Sequence, residues 1–229
     1  MRPKPSIVVA IAVVSVAPRE ARADVESWTW IEHRTRLLTE NPRSNRLLLR
    51  VFYDLRFTGR HHGLGLAFTR LGPMFEALPW LVVAANYAAF TSSDASTRAP
   101  FWEQRVELEA TATLRAGPLT LSHRHRGESR WRAVWQRWRY RLQFRASITP
   151  PRWRVGAFIW EEALFDLNLI NGGGAQPGFL ENRSGVGLSF SVAPELRIEL
   201  GYALRARQPS PAWELDHIVH TSVAINLAR

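Results

Sequence analysis

A 229-residue chain with a formal net charge of +10 and no cysteine is long enough for one sizeable core, and it excludes a disulfide framework, thiolate catalysis and a thiolate metal site. Lys4 is its only lysine, so arginine, with a planar guanidinium that pairs bidentately with carboxylates and phosphates, supplies the remaining long cations. A basic balance of this size would suit nucleic acid, but the first segment argues against that partner.

Arg2 and Lys4 precede an apolar run from Ile7 to Ala17, and Ala21-Arg22-Ala23 follows with small residues where a signal peptidase reads. The run is shorter than the ~20 residues a spanning helix needs, so residues 1–23 read as a cleaved signal peptide and residues 24–229 as a single exported domain. Removing residues 1–23 takes away four cations and Glu20, which leaves +7 on the remainder. No later segment is apolar and long enough for a helical span. Exported basic chains of this kind meet anionic lipid rather than nucleic acid.

The rest of the chain alternates. Strands send successive side chains to opposite faces, so period-two patterns mark strands with two unlike faces. Segments are predicted at about 27–38, 47–56 (Leu47, Leu49, Val51, Tyr53 and Leu55 against Arg50, Asp54 and Arg56), 63–71 and 80–90. From Trp102 the apolar positions Val106, Leu108 and Ala110 alternate with Glu103, Arg105, Glu107 and Glu109. Segments follow at 118–130 and at 137–146, where Arg137, Arg139, Arg141 and Arg145 alternate with Trp138, Tyr140, Leu142 and Phe144. The last three are at 153–165, 179–192 and 196–205, and a final one carries Trp213, Leu215, Val219, Val223 and Ile225. No region holds a helical period of apolar residues.

Connection lengths also alternate. Ala116-Gly117, Thr149-Pro150-Pro151 and Ala193-Pro194 are tight, whereas Thr91–Pro100, Gly127–Ala133, Asp166–Gly178 and Gln208–Ala212 read as longer loops. Short turns on one side and long loops on the other are the pattern of bacterial outer-membrane barrels. Eleven segments can be counted, but single-chain bacterial barrels use even numbers. The expectation is therefore an all-β, antiparallel, up-and-down transmembrane β-barrel of twelve strands, with ten as the alternative. The missing strand is sought in residues 24–90, where Leu71–Pro79 alternates least. Trp28, Trp30, Trp80, Trp102, Trp131, Trp135, Trp153 and Trp213 fall near predicted strand ends, where indoles form the girdles of membrane barrels.

With these residues in view the chain resembles the DUF2490 family of predicted bacterial outer-membrane β-barrels. The resemblance is carried by Glu103-x-Arg105, Arg124-x-Arg126-x-Glu128-x-Arg130, Trp138-Arg139-Tyr140-Arg141, Glu162 with Phe165, Asn182-Arg183 before Gly185-x-Gly187, Leu200-Gly201-Tyr202, and Asp216-His217. It implies a barrel in the outer membrane of a Gram-negative bacterium and no established activity. The chain ends Asn226-Leu227-Ala228-Arg229 rather than on the aromatic residue common in such barrels.

The candidate functional constellation is the polar face of the strands. Glu103, Arg105, Glu107, Arg124, Arg126, Glu128, Arg137, Arg139, Arg141, Glu162, Arg183, Arg197 and Glu199, with Arg50, Asp54, Glu109 and Arg154, are expected to line the lumen. There they would pair across strands, because an unpaired charge in a confined space is expensive. Such a barrel would be either a structural plug or a narrow, porin-like channel for small anionic solutes. The expected partners are outer-membrane lipid, lipopolysaccharide and the barrel-assembly machinery, with no nucleic acid and no cofactor. The alternative is an outer-membrane lipid-modifying enzyme. His220 and Ser222 share a face with Glu214 and Asp216, which could set an imidazole beside a hydroxyl, but no oxyanion donor is visible and no residue is assigned as catalytic. His61-His62 and His123-x-His125 raise metal binding without a third ligand, so no metal is expected. Glu161 falls on the lipid-facing register, which would suit a strand leaving the membrane there.

Overall fold

The computed structural model describes residues 23–37, 46–58, 63–93, 100–133, 135–170, 177–207 and 213–227. Residues 1–22 of the predicted signal peptide, His61-His62 and residues 171–176 of the predicted 166–178 loop lie outside the described residues. Eleven strands follow in chain order: β1 (Ala23–Arg36), β2 (Leu47–Thr58), β3 (Gly63–Leu78), β4 (Leu81–Ser93), β5 (Pro100–Ala116), β6 (Leu119–Arg132), β7 (Trp135–Ile148), β8 (Val155–Ile170), β9 (Gly178–Ser191), β10 (Leu196–Arg207) and β11 (Glu214–Leu227). Each pairs with its neighbours in sequence, and β1 meets β11 to close the barrel.

The expectation of twelve strands is thereby corrected to eleven, and the fully antiparallel ring to a mixed one. Sequential neighbours are antiparallel, but an odd number of alternating strands brings the first and last together in the same direction. β1 and β11 are parallel, with Ala23 beside Leu215 and Thr35 beside Leu227. Closure satisfies both outer edges, which would otherwise present unpaired backbone groups. The segment at Leu71–Pro79 hides no extra strand; it is the second half of β3. Its alternation falters because Gly72 contributes no side chain and because the β3–β4 register shifts between Glu76 and Leu78.

Two predicted loops are also shorter than expected. β6 continues through Arg132, and β8 runs five residues into the predicted 166–178 loop, because the inward side chains Glu128, Arg130 and Asp166 keep finding ion-pair partners. Four connections at one end are tight, including the Ala116–Leu119 turn, where Gly117 takes a positive φ of 60°. This end is the turn rim and the opposite one the loop rim. The separation is imperfect: β6 and β7 are joined tightly at the loop rim, and β1 reaches β2 through ten residues at the turn rim.

The two faces are inverted relative to a protein folded around an oily core. Outward positions are exposed and apolar, among them Tyr53, Leu71, Phe75, Leu108, Phe144, Val186, Leu200 and Val219. Inward positions are charged and buried, and the buried apolar residues form only small clusters such as Phe68, Ala88 and Phe90. The parallel closure has a direct test. Cysteines placed at Thr29 and Thr221, opposite one another across the β1–β11 seam, are expected to cross-link on mild oxidation in this otherwise cysteine-free chain. A cross-link appearing only between Thr29 and a position two or more residues removed would reject the register.

Candidate functional site: the charged interior

Alternation puts the carboxylates and guanidinia of all strands on one surface, and closure turns that surface on itself. Glu103 accepts hydrogen bonds from Arg105 at 2.6 Å, Arg130 at 2.7 and 3.0 Å and Arg132 at 2.8 Å. Glu162 accepts from Arg124 at 3.0 Å, Arg141 at 2.8 and 2.7 Å and Arg183 at 3.2 Å. Glu128 takes Arg141 at 3.0 Å, Glu107 takes Arg70 at 2.5 Å, and Asp166 holds both Arg137 and Arg139. Arg205 bridges Glu26 and Asp216, at 2.6 and 2.7 Å. Arg183 also pairs with Glu181. Charged groups so deep persist only because each meets an opposite charge.

Several of these pairs skip whole strands, and small residues make the skips possible. Arg50 on β2 reaches Glu109 on β5 at 3.1 Å across Gly72, its neighbour on β3, and Ala84, the neighbour of Glu109 on β4. Arg145 on β7 reaches Glu199 on β10 at 2.6 and 3.1 Å across Gly185, Gly187 and Gly201. On that wall the rings of Trp160, Phe158 and His220 lie where the Cβ atoms of the three glycines would stand, at 2.5, 2.5 and 2.2 Å respectively.

The network leaves a cavity of about 980 Å³. Its lining runs from Ser191, Ala193 and Glu195 at the turn rim to Arg130 and Arg207 near the loop rim. Fifteen arginines line it against six carboxylates, with Trp30, Trp160, Phe52, Phe68 and Phe90 between them. The carboxylates that neutralise most completely, Glu103, Glu107, Glu109 and Glu128, are buried behind this surface.

Of the residues predicted for the interior, Glu103, Arg105, Glu107, Arg126, Glu128, Glu162, Arg183 and Glu199 are buried, and Arg124, Arg137, Arg139 and Arg141 are partly buried and ion-paired. Arg197 stands at the turn rim with its side chain 40% exposed and 3.1 Å from Glu199. Arg154 lies in the exposed β7–β8 turn and not on a strand. Two tryptophans assigned to a girdle point the other way. Trp28 is buried inside, with Arg56 over its ring at 3.7 Å, and Trp30 stacks on His220 at 4.9 Å. Both alternate in register with Glu26 and Glu32, a signal present in the sequence. Of the interior residues missed in the sequence, Glu26 and Asp166 fall one residue outside the predicted segments 27–38 and 153–165, whereas Glu32, Glu181 and Arg205 lie inside predicted segments and were legible from their register.

A family model described as "Protein of unknown function (DUF2490)" matches residues 25–215. The chain belongs to the DUF2490 family. No curated protein and no solved structure matches it. The matched span contains every strand from β2 to β10, and with them nearly the whole charged interior of this DUF2490 barrel.

The remaining candidates can be placed on the same frame. In the DUF2490 barrel His220 and Ser222 both face inward, but the hydroxyl of Ser222 donates to Glu199 at 3.4 Å, and neither ring nitrogen of His220 has a hydrogen-bond partner among the described residues. Asp216 is held by Arg205. His123 and His125 are on the outer face, His123 stacked on Phe144 at 4.0 Å and His125 hydrogen-bonded to Tyr140. Among the described residues no group of three or more potential ligands gathers around a metal position. Glu161 is exposed in the body of β8, so the strand does not end there. Asn182 on β9 donates to it at 3.3 Å.

Proposed function

We propose that this protein is an outer-membrane β-barrel whose interior forms a narrow passage for small anionic solutes. The observation that carries the reading is the excess of arginine on the cavity wall, fifteen against six carboxylates, along a lining that extends from rim to rim. Rings of guanidinia stabilise anions and repel cations in a confined, weakly screened space. The membrane assignment draws support from the exposed apolar outer face and from indoles outside the barrel near both rims. Trp80 and Trp153 are exposed beside the turn rim and Trp102 beside the loop rim. An N-terminal segment of signal-peptide form supports export. The partners this reading brings are outer-membrane lipid, lipopolysaccharide and the assembly machinery that inserts such barrels.

Two measurements test it. The full chain is expected to stay with the outer-membrane fraction until detergent is added; release into buffer alone would remove the membrane assignment. In a planar bilayer under a potassium chloride gradient, the reversal potential is expected to have the sign of chloride selectivity. Arg34→Glu with Arg197→Glu, two rim changes outside the buried pairs, is expected to weaken that selectivity. A cation-selective conductance would reject the passage, and complete silence would leave a barrel sealed by its own ion pairs.

A further inference from the structure

Aromatic rings line both halves of the cavity, Phe68 and Phe90 toward the loop rim and Trp160 toward the turn rim. At the turn rim the outermost charges are more exposed than those deeper in. Arg34 and Arg197 are each 40% exposed at the side chain. Arg115 is exposed and has no carboxylate partner among the described residues. Inward of them stand Trp30 and Trp160, whose indoles line the cavity and are only half-buried. Trp28, on the same β1 face, also borders the cavity but is only 3% exposed. Indoles serving only as filler would be expected to be covered in the same way.

The supporting shell holds these rings in place. Trp160 rests on the Gly185 wall and Trp30 stacks on His220 at an interplanar angle of 12°. Arg145 lies over Phe158 at 4.1 Å while both its arms bind Glu199. Both its terminal nitrogens are therefore engaged, whereas Arg34 and Arg197 meet Glu32 and Glu199 through Nε and keep their terminal nitrogens for a ligand. The result is a recess with cationic donors at the mouth and flat apolar surface beneath. Pockets of a few hundred to about a thousand Å³ with apolar walls and a few placed polar groups hold small organic ligands. A guanidinium clamps a carboxylate through two parallel hydrogen bonds.

We infer that the turn-rim half of the cavity is a binding site for organic anions that carry a flat apolar group, aromatic carboxylates being the simplest of the class. The inference rests on the proposed access of solutes to the interior and names what the interior selects. A bare inorganic anion would use the arginines and gain nothing from the indoles. An aromatic carboxylate uses both, and offset stacking adds to the area it buries.

The test is equilibrium dialysis of the full chain in phosphatidylcholine nanodiscs against 1-naphthoate and against propionate, with empty nanodiscs subtracted. Naphthoate is expected to bind roughly three- to ten-fold more tightly than propionate. Arg197→Gln is expected to weaken both anions, and Trp30→Leu to narrow the gap between them. The comparison of two ligands on the unaltered protein needs no variant to fold. Equal affinities, or no binding above empty discs, would overturn the inference. The outcome separates from that of the bilayer recording. A barrel that passes chloride without preferring naphthoate loses the aromatic site alone, whereas one that binds naphthoate and never conducts keeps the site and loses the passage.

Discussion

Replacing Glu162 with alanine is expected to lower the unfolding free energy by about 3–5 kcal/mol, the usual cost of removing one partner from a buried ionic cluster. The Glu162 side chain is 3% exposed and is held by Arg124, Arg141 and Arg183 on three different strands. Without it, Arg183 keeps Glu181 and Arg141 keeps Glu128, but Arg124 retains only Glu109, at 4.0 Å. Three guanidinia would then crowd one region with a single negative charge fewer, and water would have to enter to solvate them. Glu162→Gln, which preserves the shape and one acceptor, should lose less. Glu214→Ala supplies the contrast: its pair with Arg207 is about 30% exposed on both sides, where such pairs are worth at most about 1 kcal/mol. Urea titration followed by tryptophan fluorescence in vesicles would measure all three. Equal losses for Glu162→Ala and Glu214→Ala would show that the interior is well hydrated and its pairs worth little.

The second large effect is expected at Gly72, from backbone rather than charge. A Cβ built there would lie 2.0 Å from the carbonyl oxygen of Ala85 and 2.7 Å from the Cα of Asn86. Both are main-chain atoms of β4, so no side chain can swing aside, and Gly72→Ala must push two paired strands apart. The cost of such overpacking is about 1–3 kcal/mol and occasionally more. It should fall at the upper end here, because the same wall lets Arg50 cross to Glu109. Gly127→Ala is the matched control. Nothing stands within 4 Å of its Cβ position, so the change should be neutral or slightly stabilising. Thermal or urea unfolding of the two variants side by side decides the matter; Gly72→Ala as stable as Gly127→Ala would reject the close approach of β3 and β4.

Much of the barrel was legible because period two is a simple signal that persists over whole strands. Glu103-x-Arg105-x-Glu107-x-Glu109 cannot be a helix face or a buried strand in oil, and its partner Arg124-x-Arg126-x-Glu128-x-Arg130 states the complementary charge. All eleven strands could be counted this way. The rule that single-chain bacterial barrels use even numbers points to twelve instead, and it does not hold for this chain, whose ends meet in parallel. The parallel β1–β11 seam was not legible, since pairing between the ends of a chain leaves no local trace. Trp28 and Trp30 were misassigned because nearness to a strand end was weighed above register, although Glu26 and Glu32 on the same face marked them as inward. The small-residue walls were hidden for another reason. Gly185, Gly187 and Gly201 look like strand irregularities in one dimension, and only the ring stacked against each shows what the missing side chain makes room for.

The odd number of strands also bears on how the barrel can be put together. Antiparallel neighbours can form in pairs as hairpins, each closing a loop of a few residues at little entropic cost. Eleven strands leave one strand over from any such pairing. If β2 to β11 assemble as five successive hairpins, β1 joins β2 alone and must then find β11, a partner more than 170 residues away running alongside it rather than back along it. That contact has no local precursor, and non-local pairings of this kind are the slow ones. Until it forms, both seam edges expose unpaired backbone, and Glu26 on β1 lacks Arg205, which the β10–β11 hairpin has already set on Asp216. The seam is thus the natural last step of assembly, and the Arg205 bridge the latch that makes it hold.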